Sequence, residues 1–78
     1  MEAMSYTFRI ILRPEPEGGY TVFVPSLRGC ITYGETMEEA ERMAKDAIEG
    51  CLEVMREEGE EIVDDSKSLE RRIQVAVA

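Results

Sequence analysis

The chain of 78 residues contains no histidine and no tryptophan, and its two cysteines are Cys30 and Cys51. Without histidine, neither a Ser-His nor a Cys-His nucleophile can form, and the most common general base of enzymes is missing. Two cysteines supply neither a zinc site of Cys/His spacing nor a disulfide framework, so we expect both thiols to be reduced and buried. No apolar run approaches the roughly 18 residues of a membrane span, and the acidic start does not resemble a signal peptide. We therefore predict a cytoplasmic protein that is not an enzyme and uses no metal or cofactor.

Acidic side chains outnumber basic ones by 17 to 9, which gives a net charge of −8. A nucleic-acid-binding surface needs clustered lysine and arginine, whereas the basic residues here are scattered along the chain. A negative field suits a basic protein partner, or it simply keeps the protein soluble. Because a chain this short buries only a thin core, self-association is a further expected source of stability. We predict a homo-oligomer, a dimer or tetramer, that does not bind nucleic acid directly.

Alternating apolar residues predict three short strands in the first half of the chain. Residues 5–13 carry apolar side chains at every second position, which is the period of a half-buried strand. Residues 20–24 repeat this period after a turn rich in proline and glycine, so the two segments are expected to form an antiparallel hairpin. A third, shorter strand is expected over residues 30–33. The turns and strand ends are marked by Pro14, Pro16, Gly18, Gly19, Pro25, Gly29 and Gly34.

The following segment has the pattern of an amphipathic helix. Thr36 and Glu39 are spaced as a capping box, in which Thr36 caps the first turn and Glu39 reaches back to the amide of Thr36. Apolar residues then recur at helical spacing as far as Met55, and Gly59 provides the stop. Gly50 lies inside the helix, where glycine is unfavourable unless close packing requires it.

The last part of the chain predicts a loop and a fourth strand. Residues 60–68 are polar and acidic, whereas residues 69–78 alternate again, with Ile73, Val75 and Val77 on one face. The expected fold is α+β with the order β-β-β-α-β, in which a single helix packs on a four-stranded mixed sheet of strand order 3-2-1-4. One face of that sheet has no element to cover it, which again favours a partner or a second copy.

Two surfaces are candidates for binding a partner. The first is the uncovered sheet face, through Thr7, Arg9, Thr21 and Phe23, and the second is the acidic outer face of the helix, through Glu38, Glu41, Glu49 and Glu53. Paired carboxylates at Glu60–Glu61 and Asp64–Asp65 leave a metal-dependent nuclease as an alternative. No third ligand at fixed spacing accompanies these pairs, so we interpret them as parts of a solvated loop.

Residues 17–40, EGGYTVFVPSLRGCITYGETMEEA, closely resemble the HicB-type antitoxin domain of prokaryotic type II toxin–antitoxin systems. The shared pattern is a strand ending in Tyr-x-Val-x-Val-Pro, then Leu, Gly-Cys, a short strand, Gly-x-Thr and an acidic helix start. We expect the residues of this pattern to have structural roles, namely Gly18, Gly19, Tyr20, Pro25, Gly29, Cys30, Gly34, Thr36 and Glu39.

The resemblance implies a partial RNase H-like fold and an oligomer that binds and neutralises a small basic, mRNA-cleaving toxin of the HicA kind. The sequence departs from the family pattern at Ser26 and Arg28, where family members commonly have Asp and Pro. Family members also commonly continue into a DNA-binding module, whereas we expect residues 1–78 to form a single HicB-like domain without one. The alternative function is an orphan oligomeric binding or scaffold domain that has no toxin partner.

Overall fold

The computed structural model describes residues 5–78, which form three strands followed by one helix. Strands β1 (Ile11–Pro14), β2 (Tyr20–Phe23) and β3 (Ile31–Gly34) pair antiparallel in the order β1-β2-β3. Helix α1 spans Met37–Glu57 and packs against one face of this sheet. The predicted α+β class, with three antiparallel strands and then a helix, is confirmed.

The hairpin between β1 and β2 depends on a glycine pair. Gly18 and Gly19 have φ angles of 104° and 79°, which side chains with a Cβ rarely adopt. The Glu15 amide donates to the Gly19 carbonyl at 3.0 Å and closes the turn. A Cβ on Gly19 would also meet the hydroxyl end of the Tyr33 side chain, which would then have to shift. The Tyr33 hydroxyl in turn donates to the Gly18 carbonyl at 3.0 Å and so ties β3 to the hairpin.

Helix α1 is closed at both ends by the residues that its sequence indicated. The Thr36 hydroxyl accepts a hydrogen bond from the Glu39 amide at 3.0 Å. The Glu39 carboxylate accepts from the amide of Glu35 at 2.9 Å, one residue earlier than the Thr36 amide expected from the capping-box pattern. At the other end Gly59 has a φ of 73°, and its amide donates to the Arg56 carbonyl at 3.2 Å.

The core lies between α1 and the sheet, in two clusters. One surrounds the buried residues Val22, Ala40 and Ala44, and the other surrounds Val24, Leu27 and Cys30. Gly34 brings the first cluster together, because a Cβ there would lie 2.3 Å from the backbone nitrogen of Ala40. The sequence suggested that Gly34 permits a turn. In the structure it lies in β3 and its missing side chain permits the close approach of sheet and helix.

The predicted fourth strand and the strand order 3-2-1-4 are not formed within residues 5–78. Residues 69–78 belong to no strand, and Leu69, Ile73, Val75 and Val77 expose between 73% and 91% of their surface. The first strand is also shorter than predicted, since β1 begins at Ile11 rather than at residue 5. Residues 5–10 run past Phe23, the end of β2, so they lack a neighbouring strand there. In both places an alternating pattern is present but the partner strand is not.

Candidate partner-binding surface

The sheet face opposite α1 carries an apolar row that crosses all three strands. Ile11 pairs with Phe23, and Phe23 pairs with Ile31, so the three side chains lie side by side on one face. Ile31 is the most exposed of them, at 59%. The next row on this face consists of Arg13, Thr21 and Tyr33. A contiguous apolar patch that stays open to solvent is typical of an interaction site.

Polar side chains next to Phe23 hold it in place on this face. The Arg13 guanidinium lies over the Phe23 ring, 5.0 Å from its centroid, which is within the range of a cation–π contact. Arg13 also donates to the Glu15 carboxylate at 3.0 and 3.1 Å, and the Thr21 hydroxyl donates to the same oxygen. The hydrogen bond from Thr21, followed by that from Arg13, lowers the pKa of Glu15. Thr21 and Phe23, both predicted contact residues, are therefore held in place by neighbours that sequence reasoning did not select.

Thr7 and Arg9, the other predicted contact residues on this side, are engaged in a different way. The Asp65 amide donates to the Thr7 carbonyl at 2.9 Å. The Arg9 amide and its Nε donate to one oxygen of Asp65 at 3.2 and 2.9 Å. These bonds fasten the segment that follows α1 to the start of the chain. Arg9 therefore acts inside the fold and does not belong to the open apolar row.

Asp65 is buried, although the sequence interpretation placed it in a solvated loop, and that interpretation is wrong for this residue. Hydrogen bonds from the Ser68 hydroxyl first, and then from the Arg9 amide, the Ser26 side chain and the Arg9 side chain, hold the pKa of Asp65 well below its usual range, against the opposing effect of burial. The pKa of neighbouring Asp64 is also lowered, by hydrogen bonds from Ser66 and from the Thr7 amide. No short-range pattern marks Asp65, because its partner Arg9 is 56 residues away along the chain.

The carboxylates of this region do not assemble into a metal site in the described part of the chain. Residues 5–78 contain no group of three or more Cys, Asp or Glu side chains placed to hold a metal ion. The oxygens of Asp64 and Asp65 are taken up by backbone amides, hydroxyls and the Arg9 guanidinium. This pair therefore fastens the chain, and the geometry gives no support to the nuclease alternative.

The acidic residues predicted on the helix lie on the other side of the molecule from the apolar row. Glu38, Glu41, Glu49 and Glu53 are all exposed on α1. A single flat contact cannot cover both surfaces, because α1 packs on the sheet face opposite the Ile11–Phe23–Ile31 row. The four predicted glutamates lie together on α1, and Thr21 and Phe23 lie together on β2. The two groups lie on opposite sides of the sheet.

The loop between β2 and β3 contains the most distinctive part of the sequence pattern. Its turn is held by bonds from the Leu27 amide to the Val24 carbonyl and from the Cys30 amide to the Leu27 carbonyl, both 3.1 Å. Cys30 is buried and Cys51 half-buried, and both are free thiols. Burial, with smaller contributions from the Cys51 thiol, raises the pKa of Cys30 to about 11. Cys30 is therefore a packing residue and a poor nucleophile.

The fold and this surface define a small α+β domain with one open, partly apolar sheet face. The chain belongs to the family described as "HicB_like antitoxin of bacterial toxin-antitoxin system", whose model matches residues 8–76. No helix in residues 5–78 combines the length and the apolar character needed to cross a membrane.

Individual relatives differ in how much of their length they share with this chain. A UPF0150 protein of Thermoplasma acidophilum is 38% identical over 63 residues, which cover 81% of this chain and 88% of that protein. A UPF0150 protein of Synechocystis is 42% identical over 48 residues, covering 62% of this chain and 61% of the relative. Antitoxin HicB of Escherichia coli K12 is 38% identical over 53 residues, covering 68% of this chain and 38% of the antitoxin. The chain thus corresponds to little more than a third of that antitoxin.

Proposed function

We propose that this chain binds a small, basic, mRNA-cleaving toxin of the HicA kind and neutralises it by direct protein contact. Membership of the HicB-like family supports a role in a toxin–antitoxin pair. The observation that supports a particular binding surface is the open apolar row of Ile11, Phe23 and Ile31. An apolar centre framed by Arg13, Glu15 and Tyr33 has the composition of a protein-binding patch, in which aromatic and arginine side chains are enriched.

The acidic surface of the chain contributes at longer range. A net charge of −8 attracts a cationic, RNA-binding protein and raises its rate of encounter. The exposed acids of α1 lie on the side opposite the apolar row, so we assign them to the field that guides the toxin rather than to the contact itself.

The first experiment is co-expression with the product of any adjacent gene that encodes a small basic protein, and the absence of such a gene would favour the orphan alternative. We expect the two proteins to purify as a complex and the growth arrest caused by the basic protein alone to be relieved. Failure to form a complex with that neighbour, together with unrelieved growth arrest, would contradict the antitoxin function and favour an orphan binding or scaffold domain.

A substitution in the apolar row locates the contact. Ile31→Lys places a charge at the most exposed position of the apolar row, and we expect it to weaken toxin binding by tenfold or more, about 1.4 kcal/mol. Titration calorimetry measures the change in Kd. Val63→Lys is the matched control, since Val63 is an exposed β-branched residue outside this face. Equal affinity of the Ile31→Lys variant and the parent chain would place the contact elsewhere.

A further inference from the structure

Residues 69–78 have the pattern of a strand but no partner within the described chain. They make no backbone hydrogen bond to any other residue of 5–78, and their alternating apolar side chains are exposed. The radius of gyration is 14.8 Å, against about 11.5 Å for a compact domain of this length. The longest extent, 54 Å, is twice the next one of 27 Å, as expected when part of the chain stands away from the body. A row of exposed apolar side chains of this kind is typical of a surface that another surface covers.

In residues 5–78 the sheet has two outer edges, those of β1 and β3, and the β1 edge continues into residues that line a groove beside the helix. Within the described residues, strand β1 has a neighbour on one side only, which is β2. The amides of Arg9 and Glu15 both point to that occupied side, where they bond to Asp65 and Gly19. Because successive backbone groups of an extended chain point to opposite sides, we expect the amides and carbonyls of Leu12 in β1, and of Phe8 and Ile10 in the segment before it, to point to the outer edge. An unpaired edge of this kind is a template for another strand.

A groove lies between this edge and the helix. It has a volume of about 630 Å³ and is lined by Tyr6, Phe8 and Ile10 from the start of the chain and by Ala44, Ile48 and Leu52 from α1. A strand added to the outer edge of β1 would turn every second side chain towards α1 and into this groove. Ile73, Val75 and Val77 have that spacing.

Residues 71–78 cannot easily reach the outer edge of β1 in their own chain, because of where the preceding residues are held. Asp65 is fastened to Thr7 and Arg9 on the side of β2, and Glu70 still lies 3.6 Å from the Arg9 guanidinium. The outer edge lies on the opposite side of the same segment, so residues 71–78 would have to cross residues 5–10 to enter their own groove. A second copy imposes no crossing, and ten extended residues reach about 33 Å.

We propose that residues 69–78 add as a strand to the outer edge of β1 of a second copy, whose own residues 69–78 return the contact. The exchange gives a closed two-fold dimer, in which each groove is filled by the partner. Charge supports this occupant, since Arg71 shares a strand face with the apolar residues, and Glu41 and Glu49 border the groove. The interface does not depend on the proposed toxin and is tested without one.

The test is the mass of the full chain in solution by light scattering. We expect twice the single-chain mass of 8.8 kDa at micromolar concentration. Val75→Asp buries a charge in the groove and is expected to give the single-chain mass, with the helical circular dichroism unchanged. Gln74→Asp introduces the same charge on the opposite face of the segment and is expected to remain dimeric. A parent chain of single mass, or a dimeric Val75→Asp variant, would overturn the proposal.

Mixing variants separates strand exchange from other ways of pairing. Ile48→Arg blocks the groove and should also be of single mass, whereas dimers built from two paired C-terminal segments would survive it. A mixture of Val75→Asp and Ile48→Arg chains retains one intact segment and one intact groove. We therefore expect a tag on one chain to capture the other. If Ile48→Arg fails to fold, the double variant Glu41→Arg/Glu49→Arg replaces it, because both residues are exposed and border the groove. A double variant that dimerises as well as the parent chain would contradict binding of residues 69–78 in this groove.

Discussion

Asp65 shows how much of this fold depends on a single side chain. It accepts hydrogen bonds from the amide and the guanidinium of Arg9 and from the hydroxyl of Ser68, while its own amide bonds to Thr7. Together with the hydrogen bond from the Thr7 amide to Asp64, these contacts connect the segment after α1 to the first residues of the fold. An ionised carboxylate is well matched to them, because every group that contacts its oxygens donates a hydrogen bond.

Replacing this carboxylate by an amide should reveal its contribution as a function of pH. Asp65→Asn is expected to lower the free energy of unfolding at pH 7, because an amide cannot accept the same set of donors. The folded-state pKa of Asp65 lies below its value of about 4 in an unfolded chain, so its stabilising effect is present above pH 4 and is lost as the pH falls further. The difference in the free energy of unfolding between parent and variant, measured with urea, should therefore be largest at pH 7 and become smaller below pH 4.

The control for this experiment is Asp46→Asn, which changes an exposed acid on α1. Asp64 and Glu15 also have lowered pKa values and titrate in both chains, so the informative quantity is the difference between variant and parent. A gap for Asp65→Asn that stayed constant from pH 7 to pH 2 would show that the carboxylate charge does not stabilise the fold.

At the scale of elements, two glycines test how closely α1 packs on the sheet, because Gly34 lies against the helix and Gly50 has open space beside it. Gly34→Ala is expected to destabilise the protein by about 2–3 kcal/mol, because its Cβ would meet the backbone of Ala40 at 2.3 Å. Gly50→Ala is expected to stabilise it by up to about 1 kcal/mol, since Gly50 is exposed within the helix and a Cβ there meets nothing within 4 Å. Urea unfolding of both variants measures these changes. Equal effects of the two substitutions would mean that β3 and α1 do not approach as closely as described.

The elements that the sequence predicted well are those fixed by neighbours in the chain. The ends of α1 follow from Thr36 and Gly59, and the hairpin follows from Gly18 and Gly19, all within a few residues of what they control. The start of β1 was predicted too early, because strand formation at residues 5–10 requires a neighbouring strand. The pattern of residues 69–78 indicates a strand for the same local reason, yet no sequence period says which edge receives it.

The candidate site was likewise predicted well where neighbouring residues determine it, and poorly where remote residues do. Phe23 and Thr21 lie on the open face because the period of two fixes which side chains share a face. Arg9 was assigned to that surface by the same period, but its partner Asp65 is remote in sequence and draws it into the fold. Ile31 was overlooked although it pairs directly with Phe23, since the register between β2 and β3 is set by the loop and not by either strand alone.

In the proposed toxin complex the net charge of the whole molecule attracts the partner, and measured association and dissociation rates separate this effect from the contact itself. We expect the association rate with the basic toxin to fall about tenfold as ionic strength rises from about 0.05 M to about 0.3 M, while the dissociation rate stays nearly constant. Glu38→Lys/Glu53→Lys on α1 and Glu17→Lys/Glu60→Lys elsewhere change the net charge equally. If the acids act only through the field of the molecule, both pairs slow association to a similar extent and neither speeds dissociation. Faster dissociation of the first pair alone would place α1 in the contact and would contradict binding through the open sheet face.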